Sequence, residues 1–200
     1  VFINDDLPWL KQQNTRVIAN IAGNTPEEYC EMAEKLSSTD VDMIEMNISC
    51  PNVKSGGVQF GTSCESVGSI TSAVRKHCTK PLIVKLSPNV TDIAEIAKSA
   101  EANGADAISM INTLTGMRID INTKRPIIRN NTGGMSGPAV FPVAVRMVWQ
   151  VSNAVKIPII GMGGISTWQD AVEMMIAGAS ALQIGTVFFS DPYAPIKIAE

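Results

Sequence analysis

The clearest indication of the fold is Ala102-Asn103-Gly104-Ala105-Asp106-Ala107-Ile108, which joins a helical segment to an apolar strand. A second joint, Ala177-Gly178-Ala179-Ser180-Ala181-Leu182, resembles it. In each joint we expect the glycine to end the helix, and the small residues to let the next strand begin at once. Short helix-to-strand joints with longer strand-to-helix loops are typical of a (β/α) barrel, whose catalytic face carries the long loops.

Around these joints, apolar strands alternate with amphipathic helices. Near-continuous apolar runs, typical of parallel strands that are covered on both sides, occur at residues 16–22, 42–49, 81–87, 107–112, 157–161 and 181–185. Helix starts are predicted at a capping box on Thr25-Pro26, near Glu65, at Thr91, at Phe141-Pro142 and at a capping box on Ser166-Thr167.

The strand count determines how much of a barrel is expected. A (β/α)8 barrel closes with eight strands and takes about 250 residues. We therefore predict an α/β fold, a (β/α)8 TIM barrel of which this chain carries strands 3–8. Residues 1–200 are expected to form a single domain truncated at both ends. An open doubly wound sheet is the alternative.

Composition excludes several classes of function. A net charge of −3 and 5% aromatic residues predict no nucleic-acid partner, and no apolar run approaches the length of a membrane span. Cys30, Cys50, Cys64 and Cys78 are scattered without metal-ligand spacing. That pattern predicts a cytoplasmic protein with no metal site in this chain. His77 is the one histidine and is expected at a solvated helix end, which argues against a Ser-His-Asp triad.

The motif Asn47-Ile48-Ser49-Cys50-Pro51-Asn52 follows the second predicted strand. A carboxamide offers both a donor and an acceptor, which suits a small ring with imide edges, and a thiol can move a proton. The carboxyl ends of strands are where α/β folds place their chemistry. A buried structural cysteine between two turn-forming asparagines is the alternative interpretation.

Polar residues also end the next two strands. Lys85 interrupts an apolar run, where it would either pair with an acid such as Glu45 or stabilise an anionic ring or phosphate. Ile111-Asn112-Thr113 adds one more amide and a hydroxyl, unless these residues only form a turn. The long segment that follows, up to Ala139, contains a predicted small hairpin at residues 118–125.

Glycine-rich segments complete the pattern. Gly133-Gly134-Met135-Ser136-Gly137-Pro138 permits close approach to a flat or anionic ligand, or is a plain flexible loop. Gly161-Met162-Gly163-Gly164 and Gly185-Thr186 end the last two strands, where barrel enzymes commonly bind a phosphate group. Together these features favour a flavin mononucleotide (FMN) oxidoreductase. A Schiff-base aldolase using Lys85 would leave the Asn and Cys cluster unused.

These motifs, in this order, resemble the NAD-linked (class 1B) catalytic subunits of the class 1 dihydroorotate dehydrogenase family. The resemblance is carried by residues 47–57, 84–89, 110–114, 133–138 and 159–164 and by Ile184-Gly185-Thr186. It implies oxidation of (S)-dihydroorotate to orotate in pyrimidine (UMP) biosynthesis. It also implies that the first two βα units and the end of the last helix are missing.

The resemblance further implies a role for each matching residue. Cys50 would be the catalytic base that removes a proton while hydride passes to the flavin. Asn47, Asn52, Asn112 and Thr113 would hold the pyrimidine ring. The FMN-binding residues would be Asn20, Lys85, Ile111, Gly137, Gly163, Gly164, Gly185 and Thr186.

Partners follow from the resemblance too. Such a subunit would form a homodimer within a heterotetramer and pass electrons to a second subunit that carries FAD and a 2Fe–2S cluster. The alternatives are a flavin domain like that of dihydropyrimidine dehydrogenase, a fumarate-linked dihydroorotate enzyme, a non-redox phosphate-binding barrel lyase, and a non-catalytic scaffold piece.

Overall fold

The structure, a computed structural model, describes residues 1–49 and 60–200. Within that part of the chain, six parallel strands form one sheet. These strands are β1 (Ile18–Ile21), β2 (Met43–Asn47), β3 (Leu82–Lys85), β4 (Ala107–Met110), β9 (Ile159–Met162) and β10 (Ala181–Gln183). The six predicted strands are confirmed, and their spatial order follows the chain.

Helices connect the strands. They are α1 (Leu7–Leu10), α2 (Pro26–Ser37), α3 (Cys64–His77), α4 (Ile93–Ala102), α5 (Phe141–Ser152), α6 (Trp168–Ile176) and α7 (Ala194–Ala199). Their apolar faces cover the outer face of the sheet with side chains such as Tyr29, Val74, Ala97 and Val148, all 0% exposed. None of the helices in residues 1–49 and 60–200 has the length and apolarity needed to traverse a bilayer.

The two glycine joints have matching geometry. Gly104 and Gly178 have φ angles of 100° and 118°, a conformation that glycine adopts without strain. After each glycine the next amide bonds back five residues, from Ala105 N to Ala100 O and from Ala179 N to Met174 O. The following strand then starts within three residues of the glycine. The predicted tight connections are confirmed.

Three helix starts differ in detail from the prediction. The cap of α4 is Asp92 rather than Thr91, since its carboxylate reaches the amides of Ala94 and Glu95. The capping box of α6 joins Thr167 to Asp170, one residue later than predicted, because Asp170 supplies the acid that bonds the amide of Thr167. At α2 the Thr25 hydroxyl accepts from the Glu28 amide as predicted, but the Glu28 carboxylate bonds the amide of Asn24 rather than that of Thr25, so the predicted capping box is incomplete.

The segment between β4 and α5 forms two small antiparallel pairs. Ile119–Asp120 (β6) pairs with Arg125–Pro126 (β7), which confirms the predicted hairpin. Leu114–Gly116 (β5) pairs with Gly133–Met135 (β8), a pairing that the sequence did not predict. Two glycines in three residues have low strand propensity, so β8 carries no strand pattern of its own.

The parallel sheet is curled. Gln183 Nε2 on β10 donates to Glu45 Oε1 on β2 at 2.8 Å, although the two strands are four positions apart in the sheet. In a flat sheet they would be separated by roughly 19 Å, at about 4.8 Å per strand. The bond therefore requires the sheet to wrap around a concave face, as the wall of a barrel does. Asn20, Glu45, Lys85 and Gln183 lie on that face.

Candidate active site

The carboxyl ends of β2 and β4 meet at a cluster of amides and hydroxyls. Asn47, the last residue of β2, accepts from the Ser49 amide and hydroxyl at 3.3 and 3.0 Å. Asn112 Nδ2 donates to Ser49 Oγ at 2.6 Å and to Asn47 Oδ1 at 3.3 Å. Two of the predicted substrate residues are thereby brought together, and the turn interpretation of Asn47 is correct as well.

Neighbouring bonds fix the start of the segment after β4. Asn112 Oδ1 accepts from the amide of Thr113 at 2.8 Å. Asn89, after β3, bonds the Thr113 carbonyl and the Thr115 amide, both at 3.0 Å. The side chain of Asn112 is therefore held in one orientation. Residues 50–52 of the motif, Cys50 and Asn52 among them, lie outside the described residues.

Lys85 ends β3 and is half-buried. The suggested pair with Glu45 is wrong: no ion pair among residues 1–49 and 60–200 joins them. The Glu45 carboxylate is instead bonded by the side-chain amides of Asn20 and Gln183. Lys85 lines the cavity described next, and its ammonium group has no ion-pair partner among residues 1–49 and 60–200.

A cavity of about 480 Å³ opens at the carboxyl ends of β3, β4, β9 and β10. Of the predicted site residues it gathers Lys85, Ile111, Asn112, Thr113, Gly137, Gly163, Gly164, Gly185 and Thr186. Asn20 and Asn47 are not in its lining. Asn20 is exposed on the concave face beside Glu45, and Asn47 lies next to Asn112.

Glycines bring separate backbones close together at this cavity. Gly164 has a φ of 80°, and a Cβ atom there would lie 2.8 Å from Gly137 O and 2.9 Å from Phe141 N. Glycine is therefore needed for the loops after β8 and β9 to touch. At Gly185 an added Cβ would meet nothing within 4 Å, because it would project into open space.

Several lining residues were not named individually as site residues, although three of them lie within the glycine-rich segments predicted to approach a ligand. They are Ser136, Pro138, Met162, Ile165, Ser166, Gln183, Ile184, Val187 and Ser190. Gln183 could have been found, because it is a polar residue inside an apolar strand, the same pattern that singled out Lys85. Serines in loops are too common to be predictive, and the apolar residues are indistinguishable in sequence from the core.

Two groups with shifted pKa values lie on elements outside the lining. The pKa of Asp42 lies well below its usual range because hydrogen bonds stabilise its carboxylate. The largest effect comes from the Lys11 ammonium, followed by the Val17 amide and the Arg16 guanidinium. Asp42 immediately precedes β2, at the amino end of the strands, where barrels carry stability rather than catalysis. Burial raises the pKa of the Cys30 thiol, and Glu27 and Glu34 add to the shift, so Cys30 is unsuited to act as a base.

The lining suits a flat ligand with an anionic end. The volume of the cavity lies in the range of about 300–1,000 Å³ that is usual for cofactor sites. Apolar side chains (Ile111, Met162, Ile165) can cover a ring, and Lys85 provides one positive charge. Glycine backbone and the hydroxyls of Ser166 and Thr186 can bind a phosphate.

Comparisons with known proteins agree with this geometry. The family described as dihydroorotate dehydrogenase matches residues 2–200. The chain is 58% identical over 199 residues to the protein of Alkaliphilus oremlandii named dihydroorotate dehydrogenase B (NAD(+)), catalytic subunit, covering 100% of this chain and 66% of that protein. A protein of the same name from Bacteroides fragilis is 56% identical over 200 residues, with the same coverage. The chain thus spans slightly less than two thirds of these relatives' length.

A solved structure supports the fold. Dihydroorotate dehydrogenase from Eimeria tenella, crystallised with ferulenol, superposes with a TM-score of 0.73 at 23% identity. The match covers 90% of this chain and 55% of that one. The predicted fold class is confirmed: the chain forms part of a TIM barrel.

Proposed function

Because this chain belongs to the dihydroorotate dehydrogenase family, we propose that the full-length protein oxidises (S)-dihydroorotate to orotate in de novo pyrimidine biosynthesis. The observation that carries the proposal is the cavity, which gathers a lysine, four glycines and the Asn112-Thr113 pair at the carboxyl ends of the strands. Residues 1–200 are then part of one FMN-binding domain.

FMN is the cofactor that the lining residues fit. When bound, it supplies a two-electron acceptor for the hydride of the substrate. Lys85 stabilises negative charge on the ring, and Ile111 covers part of its surface. The backbone of Gly137, Gly163, Gly164 and Gly185, with the hydroxyl of Thr186, binds the phosphate end. Asn20 contributes a side-chain amide from β1.

The substrate binds beside the amide cluster. A dihydropyrimidine ring has alternating C=O and N–H groups, which pair with amide donors and acceptors. Asn47, Asn112, Thr113 and Asn52 hold this ring, and Cys50 removes the proton. The bond from Asn112 to Ser49 supports this assignment, because it ties the residue preceding Cys50 to the end of β4. A thiol has an ordinary pKa near 8.5, so its environment must favour the thiolate for it to act as a base.

Electrons leave through a partner. The word "subunit" in the relatives' names implies one. We propose that it carries FAD and a 2Fe–2S cluster, accepts electrons for NAD, and joins a homodimer of this chain in a heterotetramer. The scattered cysteines support a cytoplasmic location.

The test is an anaerobic visible spectrum of the purified full-length protein before and after addition of dihydroorotate. We expect an oxidised flavin spectrum that bleaches. Bleaching by dihydrouracil but not by dihydroorotate would favour a dihydropyrimidine dehydrogenase-like activity instead. Absence of flavin after reconstitution with FMN would contradict the proposal and favour a non-redox lyase.

A further inference from the structure

Glu45 is a buried carboxylate without an assigned role. It lies on β2, is 4% exposed, and forms no ion pair with any described residue. Burial of a carboxylate is unfavourable unless hydrogen bonds compensate for the lost water. Both oxygens are so bonded, Oε2 by Asn20 Nδ2 and Oε1 by Gln183 Nε2.

The two amides come from the two outermost strands of the sheet, β1 and β10. A carboxylate only accepts hydrogen bonds, so each amide must direct its NH2 group at Glu45. The carbonyl oxygen lies at the other end of each amide and accepts no hydrogen bond from any of the described residues. Gln183 is part of the cavity lining, so Oε1 is the atom it offers to a bound ligand.

We infer that Glu45 is a positioning residue for the cofactor. It fixes the amides of Asn20 and Gln183 so that this wall of the site presents carbonyl oxygens. These accept a hydrogen bond from a ring N–H, such as the imide N–H of a flavin. The carboxylate also places a negative charge behind Gln183, on the same concave face as the positive charge of Lys85. The inference rests on the proposed function, since the ring it describes is that of FMN.

The test begins with Glu45→Gln in the full-length protein. The new side chain has one oxygen and one NH2 group, so it can accept from only one of the two amides. The other amide must rotate and turn its NH2 group toward the cavity. We expect the Kd for FMN to rise at least about tenfold, because the ring N–H would lose its carbonyl acceptor and face an NH2 donor instead. The reduction potential of the bound flavin should also rise, because a negative charge is removed.

Glu95→Gln is the matched control. It removes one exposed carboxylate, paired with Lys98 on the helix surface, and changes the net charge equally. We expect wild-type FMN affinity and potential from it. Glu45→Asp keeps the carboxylate and should recover part of the affinity and of the potential. If Glu45 had only a structural role, the reduction potential of the bound flavin would be the same in Glu45→Gln and wild type.

Gln183→Leu is a second variant, for use if Glu45→Gln does not fold. In Gln183→Leu the carboxylate of Glu45 is intact and keeps its bond to Asn20. Its FMN affinity should fall. If Glu45 acts through Gln183, the variant that combines Glu45→Gln with Gln183→Leu should lose less FMN affinity than the product of the two single losses.

Wild-type protein that binds no FMN would contradict the proposed function itself. If wild type binds FMN while Glu45→Gln retains its Kd and potential, the inference about Glu45 is overturned. The inference is also overturned if the loss of FMN affinity in the double variant equals the product of the two single losses. It is overturned as well if Gln183→Leu binds FMN as tightly as wild type.

Discussion

Asn112 Nδ2 lies 2.6 Å from Ser49 Oγ, and the bond joins the end of β4 to the turn that follows β2. Ser49 is 3% exposed and directly precedes Cys50. The hydroxyl also donates to Asn47, so one serine bridges two of the amides proposed to hold the substrate. The amide cluster is therefore held together by hydrogen bonds within the protein.

Removing this bridge should impair the reaction and leave the cofactor in place. In Ser49→Ala we expect the rate of flavin reduction at low dihydroorotate to fall roughly 3–10-fold, since one hydrogen bond contributes about 0.5–1.5 kcal/mol. Stopped-flow absorbance of the flavin measures this rate. Ser38→Ala, at an exposed helix end, is the control and should match wild type. Equal rates in Ser49→Ala and wild type would show that the bridge does not position the substrate.

Cys50→Ala tests the proposed base. FMN should remain bound, while its reduction by dihydroorotate slows by roughly 10²-fold or more, the usual contribution of a general base. Cys30→Ala removes a different thiol, one whose pKa is raised by burial, and should have no effect on the rate. An unchanged rate in Cys50→Ala would refute the assignment.

Two glycine variants should separate binding from folding. At Gly185 an added methyl group meets no protein atom within 4 Å, so Gly185→Ala should fold normally and bind FMN more weakly. At Gly164 the methyl group would contact backbone atoms of Gly137 and Phe141 at a φ of 80°. Gly164→Ala should lower the free energy of unfolding by about 1–3 kcal/mol or more.

Thermal denaturation of the FMN-free protein and fluorescence titration with FMN measure the two effects. Wild-type FMN affinity in Gly185→Ala would mean that the ligand does not reach this part of the cavity.

Asp42 predicts how stability depends on pH. Its pKa is lower in the folded protein than in the unfolded chain, so its contribution is present above the unfolded value of about 3.9 and is lost as pH falls toward the folded value. Asp42→Asn should therefore be less stable than wild type at pH 7, and the difference should shrink below about pH 4. Urea unfolding at several pH values measures it. A difference that stays constant would contradict this account.

Local chemistry made much of the fold predictable. The glycine joints, the apolar runs and the helix caps each depend on a few adjacent residues, and the six strands follow from them. The shift from Thr91 to Asp92 shows the limit of this reasoning, since adjacent residues can both cap a helix and only geometry decides between them.

Long-range contacts were not predictable in the same way. The expected pair of Lys85 with Glu45 failed because Gln183, far along the chain, reaches Glu45 across the curled sheet. Sequence patterns locate polar residues at strand ends, yet they do not specify which ones meet. The pattern identified Lys85 and Asn112 as site residues and could have identified Gln183 too, but it could not show that Gln183 meets Glu45.

The bond between Glu45 and Gln183 has a consequence for synthesis of the protein on the ribosome. The two residues are 138 positions apart, so translation at about 5–20 residues per second separates them by roughly 7–28 seconds. During that interval Asn20, already made, can bond one oxygen of Glu45, while the other awaits a strand that does not yet exist. Glu45 therefore cannot have both of its amide partners until residue 183 has been added, so the proposed cofactor site cannot be complete before that point.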